Sequence, residues 1–289
     1  MMRGSFKIIA DWVIPPKFQK ALSSSIYPYI HQQKLSAEDR QIITQNLKFK
    51  NCHQGKRCFI LATGPSIKRQ DLLPLKNEIC FATSSFYLHP DFHHISPRYY
   101  CVPGFCSNST EIFWDDWMDA LIECTSSQPT TFFFSLSDKE RCTRTGRFSN
   151  REIHFLDFFG SFEEPSVKYI DLTRPVPSPQ SVPVMALEIA LFMGFSEIYL
   201  LGCDHDWIFH MYESRHFYNE NLSVMHSHKI DEWMNNTLEI NFISYLALWK
   251  QYGQIKNIAM NRNTAIFNAT NGGLLDVFPR TEFEKLFNP

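Results

Sequence analysis

Cys58-Phe59-Ile60-Leu61-Ala62-Thr63-Gly64-Pro65-Ser66-Ile67 is an apolar, strand-like run that stops at a Thr-Gly-Pro-Ser turn and passes into a helix-like segment. A strand that ends in a small-residue turn at a helix start is how an α/β sheet offers backbone N–H groups to an anion. No Gly-x-Gly-x-x-Gly pattern accompanies it. The turn therefore points to nucleotide or phosphate binding without the usual dinucleotide fingerprint. The competing reading is a plain tight connection between strand and helix.

Outward from this stretch, strand-like and helix-like segments alternate. Arg57–Ala62, Ile79–Ser84, Arg98–Val102, Thr130–Leu136 and Glu197–Leu201 read as strands, and Gln254–Met260 is expected as a further one. Asn108–Cys124, Val182–Met193 and Asn235–Tyr252 have helical spacing; in the first of them Ile112, Phe113, Trp117, Leu121 and Ile122 tend to one face. This alternation predicts an α/β, Rossmann-like, mostly parallel sheet with helices on both faces. The main domain is expected over 55–289, after an N-terminal extension over 1–54.

That extension is interrupted by Pro15, Pro16 and Pro28, with Trp12, Phe18, Ile26 and Tyr29 as its candidate anchors. Ser36-Ala-Glu-Asp39 resembles a capping box that opens a short helix through Leu47. A second irregular stretch, about 137–180, carries Lys139, Arg141, Arg144, Arg147 and Arg151, then Pro175, Pro177 and Pro179. It reads either as a surface excursion with solvated charges or as a lid-like insertion.

Composition narrows the function classes. The chain has 289 residues, 44% of them hydrophobic and 26 of them Phe, which is ample for an aromatic-rich core. A net charge of −2 gives no basic field with which to grip nucleic acid. The 8 cysteines include no Cys-x-x-Cys pair, which argues against a zinc knuckle or a thioredoxin-type site. No run approaches the roughly 20 apolar residues of a membrane span, and Met1-Met-Arg-Gly-Ser5 lacks an apolar signal core. The expectation is a reduced cytoplasmic protein, with peripheral attachment to the inner face of the membrane as the second location.

In open α/β sheets ligands sit at the carboxyl ends of the strands. That rule gathers Thr63-Gly64-Pro65-Ser66, Thr83-Ser84-Ser85 and Gly202-Cys203-Asp204-His205-Asp206 around one rim, beside the Ser178–Ser181 turn. On an extended chain Asp204 and Asp206 share a side and would meet one Mg²⁺; otherwise they cap a polar turn. Five of the 11 histidines, His205, His210, His216, His226 and His228, fall between 205 and 228 with Tyr212 and Tyr218. Their spacing matches no zinc signature. A neutral imidazole suits deprotonation of a hydroxyl, and a tyrosine O–H suits a departing phosphate. Near the end of the chain, Thr270 with Gly272-Gly273 reads either as an anion nest or as a turn that leads the tail back to the sheet.

Taken in order, Gly64-Pro-Ser66, Ser84-Ser-Phe-Tyr87, Gly194-Phe-Ser-Glu-Ile-Tyr-Leu-Leu-Gly-Cys-Asp204 and the Asn268-Ala-Thr-x-Gly-Gly273 ending resemble the bacterial lipooligosaccharide sialyltransferases and a wider group of polysaccharide-cluster proteins. That group is related to hydroxymethylpterin pyrophosphokinases and to flagellin nonulosonate transferases. The resemblance is distant, spans roughly 55–282 and is most specific over Glu197–Asp204.

It implies a Rossmann-like domain with a small lid that binds a CMP-activated nonulosonic sugar and inverts its anomeric centre without metal. Thr63, Gly64, Pro65 and Ser66 would cradle the donor phosphate and cytidine, with Ser84 beside them, and Ser181, Val182 and Pro183 would line the sugar-nucleotide pocket. Thr270 and Gly272 belong to the shared ending. Tyr212 falls on a tyrosine that assists the leaving phosphate.

The chain departs from the family at several places. The family has Asn at the positions of Thr63 and Ser84, its second phosphate-assisting tyrosine falls on Asp206, and its catalytic His aligns near Asn236. His226 and His228 lie just upstream and would substitute for it.

The reading that follows is a glycosyltransferase with a nucleotide-sugar donor and a glycan acceptor. His226 or His228 would act as base, Tyr212 would assist the phosphate, Asp204 would anchor the site, and no cofactor is required. Two alternatives are an Mg²⁺-dependent diphosphokinase, with Asp204 and Asp206 as ligands, and a non-catalytic scaffold of a glycan-assembly complex docked through the N-terminal extension.

Overall fold

The computed structural model describes residues 28–104, 111–160, 168–210, 215–219 and 237–287. Seven strands, β1 (Arg57–Leu61), β2 (Cys80–Thr83), β3 (Tyr99–Cys101), β4 (Thr131–Ser135), β5 (Glu152–Leu156), β6 (Glu197–Leu201) and β7 (Ala265–Asn268), form one sheet in the order β5-β4-β3-β2-β1-β6-β7. Every pair is parallel. The chain starts near the middle, builds outward to β5, then crosses back to place β6 against the other side of β1. The reversal makes the gap beyond the carboxyl ends of β1 and β6 a topological switch point, where such sheets open a crevice.

The strands are apolar runs because both faces of the sheet are covered. Cys58, Ile60 and Ala62 face one core, with α5 (Val182–Met193) and α6 (Leu238–Asn261). Phe59 and Leu61 face the other, with Trp114, Trp117 and Leu121 of α3 (Glu111–Cys124). The α/β, Rossmann-like architecture expected from the sequence is thus the observed one. Helix α5 is buried from Pro183 to Met193 and stops at Gly194, which takes the left-handed conformation (φ 82°) that favours glycine at a helix end. One polar residue lies within it. Glu188 is fully buried, and neither carboxyl oxygen has a hydrogen-bond partner among the described residues.

Three expectations need correction. Gln254–Met260 is not a strand but the last part of α6; the seventh strand is Ala265–Asn268. Leu248, Tyr252, Ile255, Ile258 and Ala259, all buried, recur at helical spacing through the expected break. A short apolar run taken by itself cannot be told from a strand.

The 137–180 stretch is not simply an excursion. It supplies the edge strand β5, and Ile170, Leu172 and Val176 are buried in the core beside α5. Several of its basic residues are paired with acidic residues from other elements. Arg147 bonds Asp115 and Asp119, each at 2.6 Å, and Lys139 bonds Asp39 at 2.5 Å.

Among the expected N-terminal anchors, Trp12, Phe18 and Ile26 lie outside the described residues, and Tyr29 is exposed. The anchors present are Asn46, whose Nδ2 donates to Phe155 O (2.8 Å) and Leu172 O (3.0 Å), and the buried Phe49. The Ser36 cap is formed; its hydroxyl accepts from Asp39 N at 3.0 Å and opens α1 (Ala37–Thr44). Among the described residues no helix is long and apolar enough to cross a membrane.

Candidate functional site

The crevice at the switch point is a cleft of about 390 Å³. Most of its lining comes from the carboxyl ends of strands and the amino ends of helices. β1 delivers Thr63 and Gly64, β2 delivers Thr83 and Ser84, and β6 delivers Asp204, His205, Asp206 and Trp207; α5 begins at Ser181, Val182 and Pro183. Arg215 and His216 come from the 215–219 segment, and Asn241, Ser244 and Leu248 from α6.

The Thr-Gly-Pro-Ser turn is built differently from the anion cradle expected of it. Gly64 N donates to Gly202 O (2.8 Å), Ser66 N to Asp204 Oδ1 (3.1 Å) and Ile67 N to Gly64 O (3.3 Å). Pro65 has no N–H. The donors from Gly64 to Ile67 are therefore spent on the turn itself. Ser66 is fully buried, and neither it nor Pro65 lines the cleft, whereas Thr63 and Gly64 do.

Asp204 is what closes the turn. Its carboxylate accepts from Ser66 N and from Ser66 Oγ (2.8 Å), and only 4% of the residue is exposed. Burial pushes its pKa up, the Ser66 hydroxyl pulls it back, and the neighbouring Asp206 charge pushes it further up. The packing leaves no room for side chains. A Cβ on Gly64 would sit 1.8 Å from Asp204 Oδ2, and one on Gly273 would sit 2.5 Å from Asp204 Cα.

The Asn-Ala-Thr-x-Gly-Gly ending is a brace for the same loop, not an anion nest. Asn268 accepts from Thr270 N (3.0 Å) and donates to Leu275 O (2.7 Å). Thr270 Oγ1 accepts from Cys203 N (3.1 Å). Arg280 caps the carbonyls of Gly272 (2.6 Å) and Gly273 (2.7 Å). Thr270 and Gly272 therefore stand behind the cleft, outside its lining.

The histidine cluster divides. His226, His228 and Tyr212 lie outside the described residues, and His210 does not line the cleft. His205 and His216 do line it, in opposite environments. His205 has left-handed backbone (φ 48°), its Nε2 is 2.7 Å from Tyr252 Oη, and burial drives its pKa down to about 4. It is a neutral part of an aromatic wall with Trp207, Trp249 and Tyr252.

His216 is held against the end of β1. Its Nδ1 is 2.8 Å from Thr63 Oγ1, and the next residue donates Phe217 N to Thr63 O at 2.9 Å. The buried Phe217 and Tyr218 anchor the segment, and the Tyr218 ring lies parallel to the imidazole with centroids 5.0 Å apart.

The aspartate pair is unequal. Asp204 is committed to Ser66, whereas the Asp206 carboxylate accepts no hydrogen bond among the described residues; His210 Nε2 lies 3.8 Å from its Oδ2. No group of three or more His, Cys, Asp or Glu suited to a metal is present among the described residues.

Sequence reasoning missed Arg215, Trp207, Asn241 and Ser244. Arg215 and His216 reach the cleft because Phe217 and Tyr218 fold into the core, and the aromatic pair following Arg-His was the available signal. Asn241 and Ser244 come from the start of a helix that meets the cleft only through sheet topology. In comparisons with protein-family models and with curated proteins, nothing matches this chain.

Proposed function

We propose that the cleft binds a nucleotide-activated sugar and transfers the sugar to a hydroxyl of a glycan, with a CMP-linked nonulosonic acid as the first donor to test. The observation that carries this reading is the Thr63–His216 pair on the lining of a 390 Å³ cleft at the switch point. Such a volume suits a nucleotide-sized ligand. Arg215 and the amino end of α5 supply positive potential for a phosphate in place of the turn's spent N–H groups. The cytidine assignment rests on the resemblance of the Glu197–Asp204 segment.

In this reading His216 is the imidazole that meets the acceptor. With Nδ1–H donated to Thr63 Oγ1, Nε2 carries the lone pair that takes the hydroxyl proton. The acceptor oxygen then bonds the anomeric carbon, and the bond from that carbon to the phosphate oxygen breaks with its electron pair on the phosphate. The family-derived roles of His226, His228 and Tyr212 concern residues outside those described.

The magnesium diphosphokinase reading needs Asp204 and Asp206 together. Asp204 is only 4% exposed and accepts two bonds from Ser66, which favours the metal-independent reading over this one.

The test is release of CMP from a panel of CMP-sugars by the full chain, with His216→Gln alongside. The expected result is turnover that His216→Gln lowers at least a hundredfold, within the range of general-base catalysis, while CMP still binds. CMP binding with no turnover of any donor would remove the transferase assignment.

A further inference from the structure

We propose that Asp206 reads the vicinal ribose hydroxyls of the bound nucleotide, which makes the cleft selective for ribonucleotides; the assignment rests on the nucleotide reading above. The argument starts from what the carboxylate lacks. Asp206 lines the cleft, its side chain keeps 29% of its surface, and it accepts no hydrogen bond among the described residues. Its neighbour two residues earlier makes the contrast. Asp204 has both oxygens engaged by Ser66 and only 4% exposure. One carboxylate builds the loop and the other faces the ligand.

An ionised carboxylate is acceptor-only, so its partner must bring donors. A phosphate brings none at neutral pH and is repelled. A ribose brings two adjacent O–H groups, whose spacing lets each oxygen of one carboxylate accept one bond. Charge-assisted O–H···O⁻ bonds of this kind are among the stronger polar contacts. The same acidic-residue-to-ribose logic operates at the edge of other nucleotide-binding α/β sheets, from a different strand.

The surroundings place a nucleoside in the right order. Trp207 follows Asp206 directly and presents its indole to the cleft, backed by Tyr245 with ring centroids 4.3 Å apart. Val182, Pro183 and Leu248 add apolar surface. A base held against that wall puts its ribose diol beside the adjoining carboxylate. Arg215 and His216, which also line the cleft, would meet the phosphate end.

The experiment is calorimetric titration of the full chain with CMP and with 2′-deoxy-CMP, for wild type, Asp206→Asn and Asp206→Ala, in EDTA and again with Mg²⁺. Denaturant unfolding of each variant confirms that it is folded. The expected result is metal-independent binding of CMP at least tenfold tighter than of 2′-deoxy-CMP in wild type. In both variants CMP should weaken to the deoxy level while 2′-deoxy-CMP is unchanged.

Equal wild-type affinity for the two nucleotides, or discrimination that survives Asp206→Ala, would overturn the assignment. So would binding that requires Mg²⁺ and is lost for both nucleotides in the variants, since Asp206 would then be a metal ligand. Wild-type protein that binds neither nucleotide would remove the nucleotide reading itself, and the Asp206 assignment with it.

Discussion

Asp204 and Ser66 lie 138 positions apart in the chain, yet Ser66 gives the Asp204 carboxylate two hydrogen bonds, at 3.1 and 2.8 Å, inside the core. The pair ties the turn after β1 to the loop after β6 and so sets the shape of the crevice between them. Asp204 thus acts as a positioning residue.

Removing the Ser66 hydroxyl leaves that carboxylate with one donor fewer. Ser66→Ala is expected to cost about 1–3 kcal/mol at neutral pH. The sign of its pH dependence follows from the Asp204 pKa, which burial raises and the Ser66 hydroxyl lowers. Without the hydroxyl the folded-state pKa rises further, so the folded protein holds a proton that the unfolded chain releases. The deficit relative to wild type therefore grows as pH climbs from the raised folded-state pKa of the wild type towards the still higher one of the variant. Urea unfolding at pH 4 and pH 7 should show the smaller deficit at pH 4; equal deficits would mean the bond to the carboxylate is not the cause.

Two glycines give an opposed pair of outcomes. Gly64 has an ordinary backbone angle but no space, with Asp204 Oδ2 and Gly202 O 1.8 and 2.4 Å from an added Cβ. Gly64→Ala is expected to cost about 1–3 kcal/mol through overpacking and to distort the cleft. Gly253 lies inside α6 with nothing within 4 Å of an added Cβ. Gly253→Ala is expected to stabilise by up to about 1 kcal/mol from helix propensity. Thermal unfolding of the two variants compares them directly.

Glu188 is fully buried with no hydrogen-bond partner among the described residues. Burial raises its pKa well above the usual range, so it stays protonated in the folded state at pH values where the unfolded chain has released the proton. Between the unfolded and folded pKa values, stability should fall by about 1.4 kcal/mol per pH unit. Glu188→Met fills similar space, leaves no carboxyl to charge and should flatten that slope. The check is the pH dependence of the unfolding free energy of both proteins from pH 5 to 8; parallel curves would mean that Glu188 has found a partner.

Thr63→Val removes the hydroxyl that fixes His216 Nδ1 and keeps the side-chain volume. If Thr63 positions the base, donor turnover should fall at least tenfold and its pH profile should shift, while CMP affinity changes little. An unchanged profile with weaker CMP binding would make Thr63 a ligand contact instead.

The sheet was legible because its strands are runs such as Cys58–Leu61 and Phe132–Phe134, whose apolarity reflects cover on both faces. β7 was misplaced because Gln254–Met260 is apolar at helical spacing, which shows only when α6 is followed from Leu248 onward. At the site, Thr63, Gly64, Ser84, Ser181 and Asp206 followed from the rule about carboxyl ends of strands. Ser66 and Thr270 brace loops outside the cleft lining, and a hydroxyl that braces a loop looks the same in sequence as one that meets a ligand. Arg215 was missed because its place depends on Phe217 and Tyr218 entering the core, a tertiary fact with no local period.

The most direct test of the account is calorimetric titration of CMP into the full chain in EDTA, repeated with Gly64→Ala. The account predicts saturable, metal-independent binding by the wild type that is abolished or weakened at least tenfold when the cleft is distorted. No heat of binding with CMP, or binding that Gly64→Ala leaves untouched, would contradict the assignment of this cleft as a nucleotide site.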